Sequence, residues 1–239
     1  MIILSKKRII NLLTILAVCL TICVIQNTTI DNKSKPTVTL PVTNKVIVID
    51  AGHGVPDEGA QSSNGISEAE TNLNIALKLQ NLLEQSGATV ILTRSDENAI
   101  YEIDSQTLKE KKISDLKNRV KIGNESSADI FVSIHLNKIP QQQYFGWQTF
   151  FRTGDENSIK LAKLIQNNLN ESIETENNRV AMKLDTVYIM KKVEIPITIV
   201  ECGFLSNPEE EKRLLDDSYQ NRLAWGIYSG VMDYFKENW

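Results

Sequence analysis

The chain contains two histidines, and both stand at the ends of apolar segments. His53 follows "VIVIDAG" and His135 closes "IFVSIH". Short β-branched runs of this kind are typical of buried strands. A single histidine at a strand end is more often a satisfied surface or core residue than a ligand. Two at equivalent places indicate shared chemistry, and imidazole is a common ligand of zinc.

A carboxylate has to complete such a site, because a hydrolytic zinc usually takes three protein ligands and keeps a fourth position for water. Glu68 is the predicted third ligand. It stands in the first turn of the helix predicted after the His53 loop, where the helix dipole favours the ionised form that a metal needs. Taken alone, Glu68 reads as a solvated first-turn acid. Glu70 is assigned instead to a capping box with Ser67.

The elements that position these residues alternate between strand and helix, which predicts an α/β domain. Its sheet is expected to be mainly parallel and twisted, with helices on both faces. Ligands of such sheets bind at the carboxyl ends of the strands. Glu201 ends the apolar segment "ITIVE". We therefore expect His53, His135 and Glu201 to converge on one rim as metal ligands or proton-transfer groups. A strand-end acid that caps the following turn is the alternative for Glu201.

Four helices frame the predicted strands. They are expected from Ser67 to Gly87, over "SDLKNRVKIGNES", from about Ser158 to Asn170 and from about Tyr219 to Glu237, and Asn207 and Pro208 open a further short one.

Composition limits the chain to one sizeable domain of a common kind. Its 239 residues are 41% hydrophobic and 23% charged, with a net charge of −4. Nothing here makes a broad basic surface, so nucleic acid is not an expected partner. Of the three cysteines, only Cys202 lies outside the N-terminal apolar segment. No internal disulfide framework is expected, and Cys202 is interpreted as a small buried hydrophobe.

The N-terminus is a different kind of sequence. Three basic residues at positions 6–8 precede an apolar run over 9–25. The pattern predicts a signal-anchor or a signal peptide over residues 1–26, followed by a polar linker over 27–44 and a catalytic domain over 45–239. No small-x-small cleavage motif follows, which favours an uncleaved anchor. Either form places the domain outside the cytoplasm, tethered to the membrane or secreted.

In order along the chain, "IDAGHGVPDEGA", "SEAETNLNIA", "ADIFVSIHLN" and "IVECGFLSNPEEEKRL" resemble the blocks of zinc-dependent N-acetylmuramoyl-L-alanine amidases. The resemblance implies that His53, Glu68 and His135 bind Zn²⁺ and that Glu201 is the catalytic carboxylate. It implies hydrolysis of the amide between N-acetylmuramic acid and L-alanine in peptidoglycan.

"SIHLN", "GWQTFF" and "LAKLIQNNL" further resemble the germination-specific branch of endospore formers. The amidases of that branch act on spore cortex peptidoglycan, and the hydrolysis they catalyse is the first step toward muramic lactam. The expected location is the space between the mother-cell and forespore membranes.

The same blocks carry further expectations. Asn137 and Arg94 are candidate substrate contacts, and Arg119 is expected to brace its helix by ion pairing. The family loop commonly reads Gly-Gly-x-Asp-x-Gly-Ala, whereas Val55 replaces the second glycine and Glu58 stands near the turn. We therefore expect a poorly preorganised metal site and an exported partner protein that promotes zinc binding.

Two other functions stay open on the residues alone. One is a non-catalytic peptidoglycan-binding protein on the same fold. The other is a zinc peptidase that cuts within the stem peptide. The peptidase would need a positive pocket for a terminal carboxylate, which Arg94 or Arg119 is placed to supply.

Overall fold

A computed structural model describes residues 6–29 and 39–237, and the chain divides into the units Met1–Thr39 and Leu40–Trp239. The first unit contains helix α1, Lys6–Thr29. Among the described residues, no helical segment combines the length and hydropathy of a membrane span. The predicted signal segment, 1–26, and the predicted linker as far as residue 39 fall partly on residues outside the described ones, and they stay predictions.

The second unit is built on a six-stranded sheet in the order β2-β1-β3-β6-β4-β5. The first four of these strands run parallel. Strand β4 is antiparallel to β6 and parallel to β5. The predicted mainly parallel sheet is thereby confirmed. The strands are β1 Val46–Ala51, β2 Thr89–Leu92, β3 Ile130–Asn137, β4 Gln148–Phe151, β5 Met182–Lys183 and β6 Ile197–Phe204.

Helices cover both faces of the sheet, as the alternating sequence predicted. On one face, α2 (Glu68–Gln85), α4 (Glu156–Ser172), α6 (Pro208–Leu215) and α7 (Asp217–Lys236) share the larger core with alternate residues of the central strands. On the other face, α3 (Leu108–Glu125) and α5 (Tyr188–Lys192) share the smaller core. Cys202 is fully buried in the larger core, as a small hydrophobe would be.

The folded unit begins before the predicted boundary at residue 45. Val42 is fully buried in the larger core, and the Asn44 backbone N–H donates to the Gly87 carbonyl at 3.0 Å. Residues 40–44 therefore belong to the domain rather than to the linker, because Val42 packs into the larger core.

Two helix starts differ from the sequence expectations. Helix α3 begins at Leu108, six residues before the predicted start at Ser114, because Thr107 and Glu110 form a full capping box. The predicted capping box of α2 does not form: Ser67 is the N-cap residue but makes no side-chain cap. Loop carbonyls have taken the first amides of α2 instead, since Glu68 N–H donates to Ala60 O at 2.9 Å.

Candidate metal centre and active site

Three candidate residues lie at the carboxyl ends of neighbouring strands. His53 follows β1 by two residues, and His135 lies in β3 directly beside Glu201 of β6 in the strand register. Their strands are adjacent in the sheet because β3 stands between β1 and β6. The structure therefore brings these three side chains to one rim, where a parallel sheet usually binds its ligands.

Helix α2 brings the fourth residue to the same place. One Glu68 oxygen lies 3.0 Å from His135 Nδ1 and 3.4 Å from His53 Nε2. One ligand atom from each of the three residues can be chosen so that all lie within 4.8 Å of one another. This is the separation at which a single small cation can be held by all of them.

The backbone around Glu68 orients its carboxylate. Glu68 is buried, with 3% of its surface exposed. One oxygen accepts from the Leu136 N–H at 3.1 Å, and the other accepts from the Ala60 N–H at 2.8 Å. Burial alone would raise the pKa of Glu68, but His135 and His53 outweigh it and hold the pKa well below its usual range. The carboxylate is therefore ionised, as a metal ligand must be.

His53 is held from behind by a carboxylate that sequence reasoning missed. Its Nδ1 lies 3.3 Å from Asp57 Oδ2, and Lys112 pairs with the same oxygen at 2.9 Å. This leaves Nε2 directed toward Glu68. Burial lowers the pKa of His53, yet Asp57 and Glu68 raise it to about 9 in the metal-free chain. A carboxylate four residues after a loop histidine was the available sequence signal.

Two glycines permit this close approach. A Cβ on Gly52 would overlap the His135 ring, and a Cβ on Gly59 would overlap both Glu68 Oε2 and the His53 ring. Gly59 also has φ +71, where a side chain is strained. The packing of the site itself therefore requires glycine at positions 52 and 59.

Glu201 has the environment of a proton-transfer group. Among the described side chains, its Oε2 is one of few buried polar atoms with no hydrogen-bond partner. Burial, together with the charge of Glu68, raises the pKa of Glu201 to about 7. A carboxyl group with such a pKa can both accept and release a proton near neutral pH.

Residues 47–233 match the family described as Amidase_3: N-acetylmuramoyl-L-alanine amidase. The chain belongs to the N-acetylmuramoyl-L-alanine amidase family. As an amidase, it hydrolyses the bond between N-acetylmuramic acid and L-alanine in peptidoglycan.

Relatives with this name share most of the chain. A germination-specific N-acetylmuramoyl-L-alanine amidase of Bacillus subtilis is 37% identical, with 83% of this chain and 83% of the relative covered. The CwlD amidase from Clostridioides difficile, solved in complex with the GerS lipoprotein, is 43% identical with a TM-score of 0.79. The comparison covers 81% of this chain and 100% of that one. Another amidase, from Clostridium difficile 630, is 30% identical with a TM-score of 0.72, over 82% and 100% of the two chains.

The donor set of this amidase fits zinc. Two imidazole nitrogens and one carboxylate oxygen converge, which is a ligand set of hydrolytic zinc sites. The carboxylate of Asp57 behind His53 supplies the outer contact that such histidines usually have.

A buried ion-pair network fixes the backbone of the amidase site at His53. Arg119 donates to Asp50 Oδ1 at 2.7 Å and to Asp115 Oδ2 at 2.7 Å. The same guanidinium donates to the His53 carbonyl at 2.6 Å. Arg119 therefore pairs within its helix as expected, and it also fixes the backbone of a predicted ligand. Asp50 was missed, although an acid at the end of a continuous apolar strand is itself a signal.

The structure argues against one of the predicted substrate contacts, that of Arg94. It is buried, with 3% exposed, and it donates to the carbonyls of Ala51, Gly52 and Ala69 at 2.9, 3.1 and 2.7 Å. Its guanidinium is used to join the end of β1 to the first turn of α2, so it faces no substrate. Asn137 is half-buried at the end of β3, and its contact with substrate stays a prediction.

The loop that departs from the family pattern is tied down. Val55 N–H donates to the Glu97 carbonyl at 2.8 Å, and the Val55 carbonyl accepts from Ala99 N–H at 3.0 Å. Gly54 and Asp57 exchange backbone hydrogen bonds at 2.9 and 2.8 Å. The poor preorganisation expected from Val55 is therefore not what the structure shows.

Proposed function

We propose that this amidase works with one zinc ion bound by His53, Glu68 and His135, and that Glu201 moves the proton. The observation that carries the proposal is the convergence of the three ligand side chains within 4.8 Å, beside a carboxyl group whose Oε2 is buried without a partner. A ligand set and a separate proton-transfer group are the two parts that a hydrolytic zinc enzyme needs.

Zinc held there would supply Lewis acidity toward the scissile carbonyl and a more acidic water. Glu201 takes a proton from the attacking water and delivers it to the nitrogen of L-alanine as the carbon–nitrogen bond breaks. The products are the lactyl carboxylic acid of the sugar and the free amine of the peptide. Asp57 keeps the His53 ring oriented throughout, and Arg119 keeps the His53 backbone in place.

Glu201→Gln tests this division of roles. The amide cannot accept the proton, so turnover should fall by roughly 10²–10⁴-fold while zinc content and thermal unfolding stay those of the parent. Glu70→Gln is the matched control, since Glu70 is exposed on α2, the helix that carries Glu68. Alanine at His53, Glu68 or His135 should lower the zinc content measured by elemental analysis. Near-normal turnover of Glu201→Gln, or full zinc in all three alanine variants, contradicts the proposal.

The proposed substrate is spore cortex peptidoglycan during sporulation. The support is the name of the Bacillus subtilis relative, a germination-specific amidase at 37% identity, and the similarity to the CwlD amidase. Spores that lack this chain should carry cortex muramic acid with intact stem peptides and no muramic lactam, as measured by mass spectrometry of digested muropeptides. Unchanged muropeptides would contradict the cortex assignment and leave the amidase activity untouched.

The proposed location is outside the cytoplasm, between the mother-cell and forespore membranes, with residues 1–26 as anchor or export signal. We also propose an exported protein partner that promotes zinc binding. The support is that a relative at 43% identity was solved with a lipoprotein bound. Linkage is reciprocal, so the partner should tighten zinc binding and zinc should tighten the complex by the same factor. Tight zinc binding with full activity of the isolated chain would make such a partner unnecessary.

A further inference from the structure

The row of rim residues continues past Glu201, away from the metal ligands. Gln148 of β4 stands directly beside Glu201 in the antiparallel register, just as His135 stands beside it on the other strand. Register neighbours project from the same face, and adjacent strands are about 4.8 Å apart. Gln148 therefore lies roughly 10 Å from His135, with Glu201 between them.

Arg179 extends this row by one residue. Its Nη1 donates to Gln148 Oε1 at 3.1 Å, and its Nε donates to the Phe145 carbonyl at 3.1 Å. The guanidinium lies over the Phe204 ring at 4.7 Å and near the Tyr144 ring at 5.8 Å. Two hydrogen bonds and two aromatic faces hold the cation in one orientation, which reduces the entropy that a ligand must overcome.

Among the described residues, no acid forms a direct ion pair with this cation, and the charge of Glu210 acts on it only from a longer distance. Nη2 of Arg179 makes no hydrogen bond to a described residue, and no carboxylate oxygen lies within 4.0 Å of the guanidinium there. The nearby Glu210 is buried, and its oxygens accept from the Gly146 and Phe204 amides at 2.9 and 2.8 Å. Glu176 accepts from Asn178 at 3.4 Å. Arg179 thus keeps a donor edge for a ligand.

A cavity opens beside that guanidinium. It has a volume of about 270 Å³, and its lining combines aromatic, amide and charged side chains: Gln143, Tyr144, Phe145, Glu176, Asn177, Asn178 and Arg179. Tyr144 and Phe145 are 43% and 45% exposed, so their rings form an accessible apolar wall of this cavity. A concave surface with aromatic walls, amide groups and one oriented guanidinium suits a peptide that carries a carboxylate.

We propose that Arg179 binds a carboxylate of the stem peptide, on the leaving-group side of the scissile amide. The proposal rests on the proposed role of Glu201. Because Glu201 delivers its proton to the nitrogen of L-alanine, the peptide leaves from the Glu201 side, along the row toward Gln148 and Arg179. An extended peptide advances roughly 3.3 Å per residue, so the bound carboxylate belongs to the second or third stem residue.

Binding measurements on zinc-loaded Glu201→Gln protein test the inference without turnover. The probes are a muramoyl tripeptide with free carboxylates and the same tripeptide with its carboxylates amidated. Adding Arg179→Gln should weaken binding of the acidic peptide by roughly tenfold or more in calorimetry, since a hydrogen bond to a charged group is lost. Binding of the amidated peptide should not change. Arg222→Gln is the matched control, because Arg222 is exposed on α7 against Tyr219.

Equal losses for both peptides would show that Arg179 only holds Gln148 in place, and they would overturn the inference, as would no loss for either. Arg179→Lys keeps the charge without the planar fork, and it should retain only part of the preference for the acidic peptide. This variant decides the matter if Arg179→Gln fails to fold, since an unchanged preference would overturn the inference. In the parent, the acidic peptide should have the lower KM at similar kcat. If the parent hydrolyses neither peptide, the proposed function fails, while the binding comparison still decides the role of Arg179.

Discussion

His53 stands between two carboxylates, Asp57 and Glu68, so the proposed zinc binding would compete with a proton. In the metal-free chain the pKa of His53 is raised from 6.5 to about 9. A histidine binds zinc only in its neutral form, so the metal must displace that proton at any pH below about 9.

Zinc binding at pH 7 is therefore expected to release a proton from His53. The apparent zinc affinity should rise with pH and level off near pH 9, because above that value the imidazole is already neutral. Calorimetric titrations in two buffers of different ionisation enthalpy measure the number of protons released. Zinc binding at pH 7 without proton release would contradict the raised pKa.

Asp57 orients the imidazole of His53, and its removal should weaken the metal site without removing a ligand. Asp57→Asn is expected to lower zinc affinity by roughly 10–100-fold, the usual effect of losing such an outer contact. Glu58→Gln removes the same charge one position along the loop, and Glu58 contacts Gln61 rather than a ligand. Equal zinc affinities of the two variants would show that charge alone, rather than orientation, accounts for the effect.

At the scale of elements, the site is a junction of β1, β3, β6 and the start of α2. Arg94 ties the end of β1 to α2, and Arg119 of α3 ties the same strand end to the His53 carbonyl. The loop between β1 and α2 folds back so that its carbonyls accept from the first amides of the helix. The proposed ligands are thus positioned by rigid elements, which is the arrangement that fixes catalytic geometry best.

Gly52→Ala tests how tightly β1 and β3 position His135. The added methyl group overlaps the imidazole ring, so His135 must move, and a shift of about 1 Å is expected to lower kcat/KM by roughly 100-fold. Gly65→Ala is the control: it has φ +84 but nothing within 4 Å of the added atom. Its activity should stay near the parent's. Unchanged activity and zinc content in Gly52→Ala would show that the site adapts freely.

At the scale of the whole molecule, the chain combines an N-terminal unit, Met1–Thr39, with the folded amidase unit, Leu40–Trp239. The basic residues at positions 6–8 and the apolar run after them predict export, with the amidase unit on the outer side. That order matches the location of the peptidoglycan substrate.

The N-terminal prediction can be checked by fractionation. The full chain should sediment with membranes, and mass spectrometry should detect the N-terminal peptide in the mature protein. A chain that begins at Leu40 should stay in the supernatant, which serves as the control. A mature N-terminus after Ile25 would replace the anchor by a cleaved signal peptide.

The sequence alone determined the parallel sheet and the rim, because buried parallel strands are apolar runs and their ends are visible as the first polar residues. His53, His135 and Glu201 are such residues, and a parallel sheet must place them together. Their expected partner Glu68 follows from its position in the first turn of α2. The fold brings the side chains of His53, Glu68 and His135 close enough to bind one ion.

Only the tertiary structure decided which arginine is buried in the site and which one lines an open cavity. The sequence does not show which of Arg94 and Arg179 is buried, because the exposure of a long side chain depends on what packs around it. Arg94 is buried among backbone carbonyls, whereas Arg179 opens on a cavity. The failed capping box at Ser67 has the same cause. Its pattern is local, but the carbonyls that accept from the first amides of α2 belong to Glu58 and Ala60, and their positions depend on the path of the whole preceding loop.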